Sequence, residues 1–116
     1  MDYSEINRLT QREMDALTWQ YFYSRPGDRQ VDSEGYWSAR MGVRMVFPRY
    51  SLDAAALHRI ETEIDRRGLL NIYLRYVSRA TARPDISVTD LSTIAPDVRQ
   101  RAALLAVLAD AGTRDV

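Results

Sequence analysis

The strongest constraint on the fold is a strand signal running straight into a turn and a helix start. Trp37, Ala39, Met41, Val43, Met45 and Phe47 alternate with Ser38, Arg40, Gly42 and Arg44, the period-two pattern of a strand with one buried and one polar face. Pro48 stops that run, because it has no N–H to give a ladder. Ser51 then stands as a cap for a helix carrying Leu57, Ile60 and Ile64 on one side. Gly68, after Arg66 and Arg67, is a helix stop, with positive charge at the negative end of the helix dipole.

The rest of the chain reads by the same rules. Thr10 and Glu13 form a capping-box pattern, and Met14, Leu17, Tyr21 and Phe22 recur at helical spacing, so residues 11–23 are expected to form an amphipathic helix that residues 4–9 extend backwards. Arg25-Pro26-Gly27-Asp28 ends it, and Ser24 to Gly35 is the longest polar loop. Leu70, Ile72, Leu74 and Tyr76 alternate with Asn71, Tyr73, Arg75 and Val77, which predicts a second strand over 70–77. After a turn at Ala80 to Asp85, Ile86 to Leu91 reads as a shorter strand able to pair with it as a hairpin. Pro96 and Asp97 suit the first turn of a final helix. Its apolar face is Val98, Ala102, Leu105, Leu108 and Ala109, and Gly112 ends it, leaving only the last few residues loose. The expected order is α-β-α-β-β-α, an α+β class with helices packed on a small, mainly antiparallel sheet. At 116 residues a single domain over 1–116 is expected.

Several chemistries lack their residues. The chain has no Cys, which excludes disulfides, thiolate metal sites and Cys nucleophiles. His58 is the sole histidine; it lacks a nucleophile-elbow context and reads as a surface or half-buried helix residue. Glu61, Glu63 and Asp65 read as a solvated, ion-paired helix face, with Glu63 reaching Arg59 and Arg67 at i±4. There is no Gly-rich phosphate loop, and Gly42 inside a strand marks a bulge or a close backbone approach. The free amides at the Ser51 turn are a place for an anion, unless the Ser51 side chain caps them. No catalytic constellation and no cofactor signature emerge, so the expectation is a protein that is not an enzyme. No apolar run nears the roughly 20 residues of a membrane span and the N-terminus is polar, so a soluble cytoplasmic protein is expected.

Composition enters through charge. The 16 basic residues balance 16 acids, and all 16 are Arg, a bias that a GC-rich genome explains by itself. The arginines are nonetheless segregated. Arg40, Arg44 and Arg49 lie between Gly35 and Leu52, and Arg66, Arg67, Arg75, Arg79 and Arg83 lie between Arg66 and Pro84, with no acid in either segment. On the expected strands, Arg40 and Arg44 share one polar face, and Tyr73, Arg75 and Arg79 project together. If those faces coincide, guanidinium forks and a ring form a candidate ligand site for a phosphate-bearing molecule, with Arg for charge and Tyr for base stacking. The alternatives are an exposed sheet face, a self-association surface, or ion pairs to neighbouring helices. Trp19, Trp37, Tyr21, Tyr23 and Tyr36 read as core or interface aromatics. Zero net charge disfavours nucleic acid as a partner.

Three segments carry a family resemblance. Phe47-Pro48-Arg49-Tyr50-Ser51-Leu52-Asp53-Ala54-Ala55-Ala56 resembles the Tyr-Ser-Thr-Asp-type turn that opens the central helix of the phage ABA sandwich family, with Leu52 in place of Thr. Arg101-Ala102-Ala103-Leu104-Leu105-Ala106 resembles the family's last helix, and Leu9 to Leu17 its opening helix. The resemblance implies a layered α/β sandwich and a phage or prophage accessory protein of the host cytoplasm that acts by binding. Some small phage proteins of similar architecture sequester nucleotide signals of bacterial immunity. By that analogy the expected partner is a nucleotide-like small molecule. The alternative is an interaction module that docks on a host or phage protein or, as a homo-oligomer, on itself, with Trp19 to Tyr23 as its contact region.

Overall fold

Ala102-Ala103-Leu104-Leu105-Ala106-Val107 contains no polar side chain, and all six residues are buried. Six successive residues cover the whole circumference of a helix, so this segment must be enclosed rather than laid on a surface. The computed structural model, which describes residues 3–115, shows how. The elements are helix α1 (Tyr3–Asn7), α2 (Gln11–Phe22), strands β1 (Arg29–Gln30), β2 (Gly35–Ser38) and β3 (Val43–Val46), helices α3 (Ala54–Arg66) and α4 (Leu70–Thr81), a 3-10 helix (Val88–Thr93) and α5 (Pro96–Asp115). The fold is a mix of helices with a three-stranded antiparallel sheet in the order β1-β2-β3. All four other α-helices pack against α5. No helix among the described residues is long and apolar enough to cross a membrane.

Three consecutive polar residues at the entrance of that buried stretch each grip a different part of the molecule. Successive residues on a helix point about 100° apart, so Arg99, Gln100 and Arg101 face three ways. Arg101 donates from Nη1 to the carbonyl of Ile6 at 2.6 Å, satisfying an end group of α1. Gln100, fully buried, accepts from Gln11 Nε2 at 2.7 Å and donates to Asp15 Oδ1 at 3.0 Å and Thr18 Oγ1 at 2.9 Å, fixing α2. Arg99 binds both carboxylate oxygens of Glu61 on α3, with Nε to Oε2 at 3.1 Å, and the Tyr73 hydroxyl on α4 donates to the same Oε2. Glu61 therefore joins three helices, and is not part of a solvated face. Glu63 makes the expected pair with Arg67, with Arg66 as its second partner instead of Arg59, and these two arginines hold its carboxyl down to about 2.

The capping box at Thr10 and Glu13 forms as expected, with mutual bonds of 3.2 and 3.0 Å, and α2 covers the predicted span to within a residue. Residues 3–7, however, form a separate helix. The helix after Pro48 is capped by Asp53, not Ser51: Oδ1 of Asp53 accepts from the N–H groups of Ala55 and Ala56 at 3.1 Å. Those amides are thus taken, which removes the anion site at the Ser51 turn. Gly68 ends α3 with a φ of +74°, and the Leu69 N–H closes back on the Ile64 carbonyl at 3.0 Å, a left-handed stop that glycine adopts without strain.

The three strand expectations fail. Residues 70–77 are helical. The polar residues Asn71 and Arg75 are four apart as well as on alternating positions, so the segment fits two periods, and the four-residue recurrence Leu69, Tyr73, Val77 is the buried one, while Asn71, Arg75 and Arg79 face solvent. Residues 86–91 are not a strand, because the Asp90 carboxylate accepts from the Ser87 N–H at 2.8 Å and Oγ at 2.9 Å and opens a 3-10 turn. The run from Trp37 to Phe47 is two strands. It reverses at Ala39–Gly42, where Gly42 has a φ of +68° and donates to the Ser38 carbonyl at 2.8 Å. The pairs Tyr36–Met45, Trp37–Arg44 and Ser38–Val43 then face each other. Its supposed buried face, Trp37, Met41, Val43 and Met45, is exposed, and Phe47 alone of that set is deep in the protein. The final helix also passes Gly112 and reaches Asp115, whereas Val116, part of the expected loose end, lies outside the described residues.

Removing one partner from a buried charge pair strands the other. Glu61→Ala is expected to lower stability by about 3 kcal/mol and Tyr73→Phe by about 1 kcal/mol in urea denaturation followed by circular dichroism. A Glu61→Ala effect no larger than that of the surface change Arg40→Ala would remove the central role given to this carboxylate.

Candidate functional site

The C-terminal end of α2 places three rings in a row of neighbours, Trp19, Phe22 and Tyr23. The helix stops there, with the N–H groups of Tyr23 and Ser24 both donating to the Trp19 carbonyl at 2.8 and 2.9 Å. The chain then turns through Arg25–Asp28, whose ends are tied by Arg25 N–H to Asp28 Oδ2 at 3.0 Å and Asp28 N–H to the Arg25 carbonyl at 3.0 Å. Strand β2 brings Tyr36 across, so that its ring lies 4.5 Å from Trp19 and 5.7 Å from Phe47. Pro48 steers the chain to Tyr50, whose ring stacks on Tyr23 at 6.1 Å and 3°. Helix α3 adds Arg59 from the side.

These residues enclose a cleft of about 410 Å³ lined by Trp19, Phe22, Tyr23, Ser24, Arg25, Tyr36, Pro48, Tyr50 and Arg59. Its depth is aromatic: Tyr50 is 1% and Trp19 4% exposed. Its mouth is cationic, with Arg25 and Arg59 exposed and neither in an ion pair among the described residues. None of the lining residues is acidic.

The polar groups of this wall distinguish it from ordinary core. Trp19 Nε1, Tyr23 Oη and Tyr50 Oη are buried with no hydrogen bond of normal geometry in the chain, although the Arg59 guanidinium stands beside the Tyr23 hydroxyl. Among the described residues these are the buried side-chain polar atoms left unsatisfied, and all three belong to residues that line one cleft. Each such group costs about 1–3 kcal/mol, so three in one place is an expense a plain core does not carry. Burial pushes the Tyr50 hydroxyl far above its ordinary value of 10.0, with the neighbouring Tyr23 and Asp15 acting in the same direction. Burial also raises Tyr23, opposed by the adjacent Arg59 guanidinium. Both hydroxyls are therefore neutral at physiological pH, and the charge of the cleft comes from arginine.

The residues expected to hold a ligand are placed elsewhere. Arg40 is exposed in the hairpin turn, and Arg44 on β3 pairs with Asp32 at 2.6 Å. Tyr73 is fully buried in α4 and committed to Glu61, so it presents no ring to a base. Arg75 and Arg79 occupy the exposed face of α4, and Arg79 lies 3.9 Å over the Tyr3 ring. They line a separate hollow of about 300 Å³ with Ile72, Tyr76 and Ala109. The single sheet face that was to unite the five does not exist, because its second strand is a helix. Arg25, Arg59 and Tyr50 were not singled out from the sequence as binding residues. Their signal is the density of rings between Trp19 and Tyr23 followed by an arginine at a turn. Trp19, Phe22 and Tyr23 are walls of the core or of the cleft and not an exposed contact region. No group of three or more His, Cys, Asp or Glu suited to a metal occurs among the described residues, and His58 is exposed on α3.

No family model, no curated protein and no solved structure matches this chain.

The raised tyrosines give a pH dependence with a definite sign. Folded Tyr50 and Tyr73 hold their protons above the ordinary value of 10.0, whereas the unfolded chain releases them there. Their contribution to stability is complete below about pH 10 and lost as the pH rises beyond it. Absorbance at 295 nm against pH is expected to show a late group of tyrosines ionising together with loss of helical circular dichroism. Ionisation of every tyrosine near pH 10 with the helices intact would contradict the burial described.

Proposed function

We propose that this chain is a binding protein whose aromatic cleft holds a small phosphate-bearing molecule of nucleotide type. The observation that supports the reading is the convergence of three unsatisfied buried polar groups and two unpaired arginines on one cleft. Rings supply stacking surfaces that every base can use, the guanidinium forks match phosphate oxygens, and a volume above 300 Å³ falls in the range of small-molecule sites. Binding rather than turnover fits a lining without a carboxylate, histidine or thiol. In the setting implied by the phage-family resemblance, with its layered sandwich, the role is to sequester a nucleotide signal in the host cytoplasm.

A ligand that binds the folded state alone raises the melting temperature. Thermal melts over a panel of nucleotides, sugar phosphates and uncharged nucleosides are expected to show stabilisation by phosphate-bearing aromatic members. Arg59→Ala is expected to weaken that binding by about 1.5–3 kcal/mol, the scale of a hydrogen bond to a charged group, while leaving the unliganded melt within about 0.5 kcal/mol of the parent. No shift across the panel, or an equal shift in Arg59→Ala, would contradict the assignment.

A second reading has its own observation. Trp37 and Val46 on one face of the hairpin, Val43 and Met45 on the other, and Met41 in its turn are exposed apolar residues, and β3 is an edge strand with all four residues exposed. Unprotected edges invite pairing with another strand, which suits an interaction module or homo-oligomer. On this reading Val46→Lys dissociates an oligomer seen by light scattering. A monomer at all concentrations would count against self-pairing.

A further inference from the structure

We infer, on the basis of the cleft assignment above, that the occupant is a single nucleoside monophosphate, bound base-inward with its phosphate at the mouth. Size is the first argument. A cleft of about 410 Å³ lies at the small end of the range for small-molecule sites, the class of one base, one sugar and one phosphate. A dinucleotide or a larger cyclic oligonucleotide would extend out of its mouth.

Polarity fixes the orientation. The unsatisfied atoms belong to the most enclosed walls, Trp19 and Tyr50, with Tyr23 beside them. A dianionic phosphate placed against those rings would be stripped of water with only Arg59, at the Tyr23 side, to meet it. The arginines stand at the exposed mouth, where a phosphate keeps part of its hydration and gains bidentate donors. A planar base among the rings gains stacking and meets the orphaned groups instead.

Donor chemistry then selects the edge of the base. The indole N–H of Trp19 is a donor only, and the two tyrosine hydroxyls donate or accept. The inward edge of the base must therefore present at least one acceptor, as ring nitrogens and carbonyl oxygens of nucleobases do. The lining holds no carboxylate to grip a ribose diol in the manner of dinucleotide folds, so the sugar is a spacer in this cleft and its 2′ substituent contributes little.

Isothermal titration tests this with defined probes: guanosine and adenosine monophosphates, their 2′-deoxy forms, the free nucleosides, inorganic phosphate and a cyclic dinucleotide. At least one monophosphate is expected to bind one to one, tenfold or more tighter than its nucleoside and than inorganic phosphate, with the deoxy form within threefold. Arg25→Ala and Arg59→Ala are expected to erase the advantage over the nucleoside. Tyr50→Phe, which keeps the ring, is expected to weaken nucleoside and monophosphate equally. Tighter, Arg59-dependent binding of the cyclic dinucleotide would overturn the size and orientation but keep the cleft as a nucleotide site. Failure of every probe to bind, or binding indifferent to Arg59, would overturn both.

Discussion

The whole fold depends on α5 being covered on every side. A helix with six successive buried residues cannot stand at a surface, so each of its sides demands a partner, and α1, α2, α3 and α4 supply them. Three of the six are alanines, which let the neighbouring backbones come close. Apolar contact alone would leave the angular positions of those helices poorly specified. Arg99, Gln100 and Arg101 specify them, because each fits one set of acceptors and donors on a different neighbour. The arrangement is costly to break, since a half-satisfied buried network is worse than none.

The hairpin stands outside this helical assembly and is joined to it through a second, smaller cluster of Ala16, Trp19 and Phe47, with Tyr23 and Tyr36 against it. The cleft opens where that cluster meets the main core. Rings there are wide and stiff, so they bridge the gap without filling it, and their polar atoms are left inside. A seam of this kind is where small-molecule sites commonly form. The route from sequence to cleft is plain: helix α2 ends at Tyr23, strand β2 returns Tyr36, and the cleft with its stranded polar atoms follows.

Much of this was legible in the sequence, and the failures are physical. Caps and stops read correctly at Thr10, Glu13, Gly68 and Pro96, whereas the cap of α3 is Asp53 instead of Ser51 and α5 runs on through Gly112. Period failed where composition made it ambiguous. Leu69 to Val77 is apolar at both two- and four-residue spacing, and only packing against α5 selects the helix. In Trp37 to Phe47 the alternation is real in each half, but Gly42 marks a reversal, and a reversal exposes the face that a continuous strand would bury. The candidate ligand residues inherited those errors, since Tyr73, Arg75 and Arg79 were grouped on a strand. Glu61 was read as solvated because its partners, Arg99 and Tyr73, are 38 and 12 residues away. The cleft itself joins residues from 19 to 59 and has no local pattern to announce it.

The most direct test of the central claim is the indole N–H region of a nitrogen-edited NMR spectrum during titration with guanosine and adenosine monophosphates in turn, at least one of which is expected to produce the response. The chain has two tryptophans, one orphaned in the cleft and one exposed on the hairpin, which makes the spectrum its own control. The account predicts a saturable downfield shift of the Trp19 indole as it acquires an acceptor, an unchanged Trp37 indole, and loss of the response in Arg59→Ala. A Trp19 resonance that stays fixed while Trp37 moves would place binding on the hairpin and contradict the cleft.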